Sequence, residues 1–146
     1  MRVALTVAIL GLCTSMVRAD GIDPGLWQIT TRVATGVALG PPQQSQKCLT
    51  PEQTNDLAAT FSPVAGTINS ECAPLERSFA GGKLTWKLVC KGQLNLDLTG
   101  EFNFDSSRHY TAMLYNKAEM AGRPVVNSQS VLEARWVSEC PDPKAP

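Results

Sequence analysis

Few residues in this 146-residue chain are of the types that do chemistry, and their spacing argues against most reactions. His109 is the sole histidine, and the only side chain whose ordinary proton affinity suits acid–base work near neutrality. It follows Arg108 and an Asp-Ser-Ser stretch, where a turn meets a strand, and reads there as a solvated histidine. The carboxylate pairs Glu71/Glu76 and Asp97/Glu101 lie along strands and read as solvated faces, not as an acid/base pair. No Gly-x-Ser-x-Gly elbow and no His-Glu-x-x-His motif occurs. The single glycine pair, Gly81-Gly82, suits a hairpin turn and lacks the spacing of a phosphate loop. The expectation is no catalytic residue, no metal ligand set and no cofactor site.

The cysteines carry more. Cys13 falls in the leader described below, which leaves Cys48, Cys72, Cys90 and Cys140. Zinc needs ligands paired two to four residues apart, and a redox-active pair needs Cys-x-x-Cys; neither is present. An even number in an exported chain reads as two disulfides. Cys72 and Cys90 flank Gly81-Gly82 almost symmetrically, as two cross-strand positions of one hairpin would. That leaves Cys48 for Cys140.

Three tryptophans, Trp27, Trp86 and Trp136, each sit in a strand-like segment with an apolar residue two positions away. Core packing is their ordinary role, with a ligand pocket as the alternative. Met113 and Tyr115 alternate on one strand face and would either line an apolar surface or be half-buried. The stretches Gly36–Gln46 and Phe61–Ser70 are long enough for binding loops or lids, and equally suit plain connectors.

The elements that must hold these residues begin after a leader. Arg2, the apolar run Val3–Leu12 and the small-residue site Val17-Arg18-Ala19 have the layout of a secretory signal peptide. The run is too short for a membrane helix. Cys13 suggests a lipoprotein leader as a rival, but Leu12 stands where that signal wants a small residue. Cleavage after Ala19 leaves residues 20–146 as a single β-rich domain. Lysine plus arginine and aspartate plus glutamate number 13 each, so no basic excess exists for a phosphate backbone. Nucleic acid is not an expected partner.

Within the domain, Leu26–Val33 alternates as a strand, with Trp27, Ile29 and Val33 on one face. Gly36–Lys47 has neither periodicity nor bulk and reads as loop. Thr50-Pro51-Glu52-Gln53 is a capping box with proline at the first helical position, predicting one short helix to about Ala59. From Glu71 onward the chain reads as a meander of about five strands. Leu94, Leu96, Leu98, Phe102 and Phe104 face one way, and Asn95, Asp97, Thr99, Glu101 and Asn103 the other. A two-residue Gly81-Gly82 turn puts Leu75 in phase with Leu84 but Cys72 out of phase with Cys90. A β-bulge near Pro74 reconciles the two. The fold class is mainly β: an antiparallel meander forming a curved sheet or half-barrel with one short α-helix.

The segments that anchor this layout also resemble a family. They are Pro24-Gly25-Leu26-Trp27, Cys48-Leu49-Thr50-Pro51-Glu52, Trp86-Lys87-Leu88-Val89-Cys90-Lys91-Gly92, Thr99-Gly100-Glu101-Phe102 and Arg135-Trp136-Val137-Ser138-Glu139-Cys140-Pro141. In that order they resemble the domain of unknown function 3617, small exported proteins of Gram-negative bacteria. The resemblance spans nearly all of residues 20–146 and implies a β-rich fold and a periplasmic location. It brings no activity and no catalytic residues.

Two classes of function fit. One is a non-catalytic binding or chaperone-like module for an apolar small molecule, lipid or extended peptide. The other is an enzyme without a sequence signature, or a compact scaffold acting through its surface. Missing nucleophile, metal and cofactor motifs favour the first. The exported protein is expected to begin at Asp20 without lipid, and a mass showing an acylated Cys13 as its first residue overturns that reading.

Overall fold

The computed structural model describes residues 21–64, 66 and 70–141; the leader expected over residues 1–19 lies outside them. Strand β1 (Gly25–Ala34) is followed by β2 (Gln43–Leu49), the short helices α1 (Pro51–Asn55) and α2 (Leu57–Thr60), and β3 (Ser70–Cys72) and β4 (Glu76–Ala80). The meander then runs through β5 (Lys83–Gly92), β6 (Leu94–Ser106), β7 (His109–Met120) and β8 (Arg123–Ser138). All pairings are antiparallel, in the order β2-β1-β8-β7-β6-β5-β3, with β4 also on β5. The mainly β antiparallel class is as expected, and the sheet is not closed into a barrel.

Two expectations are corrected. Gln43–Lys47, read as the end of a loop over Gly36–Lys47, belongs to edge strand β2, paired with β1 from Gly25↔Leu49 to Thr31↔Gln43. Residues 43–48 are exposed, so no buried face imposes a period of two, and the backbone ladder of β1 holds the strand. The single helix is two. The capping box starts α1, with Thr50 accepting from the Gln53 N–H and Gln53 from the Thr50 N–H. Asp56 then interrupts, because its carboxylate accepts the Ala59 N–H at 2.8 Å and caps α2 instead.

The bulge lies where the phase conflict demanded it. Cys72 opposes Cys90, and Glu76 opposes Lys87, so the three residues 73–75 around Pro74 face only two, Leu88 and Val89. Gly81 and Gly82 make the two-residue turn with positive φ at both positions. Cys72 and Cys90, with Cα atoms 3.9 Å apart, stand at disulfide distance, as do Cys48 and Cys140 at 5.6 Å. The second pair depends on the first strand lying beside the last, with Trp27 opposite Trp136.

Directly opposed residues share a face, so register defines the inner one. Trp27, Leu84, Phe102, Phe104, Tyr110, Ala112 and Ala134 are buried there together with Leu49 and Leu57. Phe61, just past α2, sets its ring 5.2 Å from Phe102, 5.4 Å from Phe104 and 5.2 Å from Tyr110. Its carbonyl accepts the Trp86 indole N–H at 2.9 Å. Burying each such aromatic contributes about 1.5–3 kcal/mol. The Trp86 indole lies over Gly100, its cross-strand partner, where any Cβ would fall inside the ring.

Gly100→Ala is therefore expected to destabilise the fold by about 1–3 kcal/mol in urea unfolding, through overpacking alone. Trp86→Phe in the same chain should recover part of the loss. Strict additivity of the two changes would show that they do not share this contact.

Candidate functional site

The inner face has two parts. α1, α2 and Phe61 cover the part that carries Leu84, Phe102, Phe104 and Tyr110. Beneath Trp86 the face is filled, since its indole rests on Gly100 and its N–H donates to the Phe61 carbonyl. Toward the β5–β6 and β7–β8 turns the same face continues through Leu88, Cys90, Leu94, Leu96, Leu98 and Ala118. Here Leu88, Cys90 and Ala118 are buried and Leu94, Leu96 and Leu98 half-buried, while Met120 is 53% and Val126 39% exposed. A depression of about 210 Å³ near this end lies on the opposite, outer face, where Val89, Lys91, Asn95, Asp97, Lys117 and Glu119 line it.

Met113 and Tyr115 do not line that face. Tyr110, Ala112 and Leu114 point inward from β7, so Met113 and Tyr115 project outward, 38% and 48% exposed, with the Tyr115 hydroxyl donating to Met113 Sδ at 2.9 Å. Trp27 is wholly buried, and Trp86 and Trp136 pack against the core. Core packing is thus what all three tryptophans do. Trp136 donates its indole N–H to Pro24 O and lies under the Arg108 guanidinium, which also pairs with Asp23 at 2.7 Å.

His109 is not a free, solvated side chain. It is half-buried on the outer face, with Nδ1 2.7 Å from Asp105 Oδ1 and Nε2 3.3 Å from Glu133 Oε1. Glu133 also binds Arg135. Carboxylates only accept, so the protonated ring alone donates to both at once. Asp105 reaches His109 across the β6–β7 turn, a local relation that four-residue spacing hints at. Glu133 arrives through the β7–β8 register, which no sequence pattern reveals. With both nitrogens facing carboxylates, and no hydroxyl bound to the ring among the described residues, the arrangement pins three strand segments and leaves no nitrogen for a substrate.

Two groups have shifted proton affinities that bear on the site. The His109 hydrogen bond, then Arg135, hold Glu133 below its ordinary range, and burial pushes Tyr110 up to about 12. Among the described residues no group of three or more His, Cys, Asp or Glu side chains converges as a metal site.

The pH dependence of Glu133 is a direct check. Folding lowers its carboxyl below the ordinary 4.5, so its contribution is complete above that value and is lost as pH falls through the folded one. Glu133→Gln should therefore lower Tm slightly at neutral pH, with a gap to wild type that closes in acid. A gap constant from about pH 7 to about pH 3 overturns the pairing.

No curated protein and no solved structure matches the chain. A family model does, covering residues 22–140, from the buried Ile22 beside β1 to the cysteine that reaches back to β2. The chain accordingly belongs to the family described as protein of unknown function (DUF3617).

Proposed function

We propose that this protein is an exported, periplasmic, non-catalytic binding module that holds an apolar or extended ligand against the uncovered end of its inner sheet face. The observation that carries the reading is the contrast along one face. The helices and Phe61 fill one part, whereas Met120 and Val126 stay exposed in the rows of half-buried Leu94 and Leu96 in the other. A concave, mostly apolar surface is the usual form of a small-molecule site.

Export is supported by the leader-like first nineteen residues and by two cysteine pairs at disulfide distance, which persist in an oxidising compartment. No described helix is long and apolar enough to cross a membrane. The enzymatic alternative would rest on His109, whose two nitrogens are already engaged by Asp105 and Glu133.

Titration with the apolar dye N-phenyl-1-naphthylamine tests the reading. Wild type should bind it, and Val126→Asp, which puts a carboxylate on the inner face, should weaken binding about tenfold or more. Met113→Asp, on the outer face, should leave it unchanged. Absent dye binding, or equal affinity in the Val126 variant, rejects the site.

A further inference from the structure

The two edges of the sheet are built differently. One edge, β3 and β4, is broken at residues 73–75, contains Pro74 and the bulge, and carries Glu71, Glu76 and Arg77. These are the features by which natural sheets prevent edge-to-edge pairing. The other edge, β2, is an unbroken seven-residue strand, Gln-Gln-Ser-Gln-Lys-Cys-Leu, with no proline, no bulge and one charge. Among the described residues it pairs only with β1, so one side of its backbone is without a strand partner. Cys48, at disulfide distance from Cys140, ties its end to the chain beyond β8 and keeps the edge from fraying.

We propose that β2 is a dimerisation edge, at which two copies pair Gln43–Leu49 antiparallel about a two-fold axis at Gln46 and join their sheets into one. A two-fold contact requires a patch complementary to itself, and β2 meets that in one register. Centred on Gln46, all seven residues overlap. Gln43 then faces Leu49, Gln44 faces Cys48, Ser45 faces Lys47, and Gln46 faces its own copy. The single charge meets a serine. Centring on Lys47 would oppose two ammonium groups and lose two residues of overlap at one end of the strand, and centring on Ser45 loses the same length. Glutamine amides already bond across the neighbouring ladder, where Gln28 donates to Gln44 at 3.1 Å, and the Gln46 pair extends that pattern. The exposed, polar residues 43–48 offer no apolar pocket for a foreign peptide's side chains, so a second copy is the occupant this surface fits.

Sedimentation equilibrium of the exported protein at about 100 μM should show a dimer. Gln46→Lys and Gln46→Glu each put like charges opposite one another and should raise the dissociation constant about tenfold or more. Mixing the two variants in equal amounts should restore a mixed dimer. Gln46 is exposed, so both variants should keep the wild-type circular dichroism. Ser78→Lys on the opposite edge should leave the dimer intact. A monomeric wild type, a dimer unaffected by both Gln46 variants, a mixture that stays monomeric, or a monomer carrying a peptide on β2 each overturns the proposal.

Discussion

Phe61 is where the two parts of the molecule are fastened. A sheet whose strands are apolar on one side only must cover that side, and among the described residues two short helices and their connections are what is there to do so. Phe61 ends α2 with its ring among Phe102, Phe104 and Tyr110 and its carbonyl on the Trp86 indole. The same contact sets the orientation of Trp86, whose ring then requires a residue without Cβ at Gly100. Helix position, indole orientation and the glycine in β6 are one constraint seen from three residues.

The cysteine pairs act on a different scale. Cys72 and Cys90 lie 18 residues apart within neighbouring strands, and Cys48 and Cys140 lie 92 apart. Loop closure of those lengths restricts the unfolded chain by about 3 and about 4.5 kcal/mol respectively, against net stabilities of about 5–15 kcal/mol for domains in general. The longer link also holds both ends of the fold where β1 meets β8, beside the segment in which Asp23 N donates to Ser107 O and Trp136 N to Arg108 O.

The candidate site was only half legible in the sequence. Alternation in Leu94–Phe104 identifies the apolar face without ambiguity, because a period of two admits no other assignment. It says nothing of which part Phe61 covers. Met113 and Tyr115 illustrate the loss: their alternation was visible, but the face they occupy follows from Tyr110 and Ala112 pointing inward. His109 is the converse case, an apparently isolated residue that register supplies with Glu133.

Local chemistry determined the meander strands, the Thr50 cap, the Gly81-Gly82 turn, the bulge beside Pro74 and the partnership of Cys72 with Cys90, which leaves Cys48 for Cys140. Each rests on interactions between residues near in sequence, or on the phase relation that one turn imposes. Tertiary structure alone decided that β1 lies beside β8, that Gln43–Leu49 becomes an edge strand and that the helix divides at Asp56. It also decided which part of the inner face is filled. These follow from backbone ladders and packing between segments far apart in the chain, where side-chain pattern carries no record of the partner.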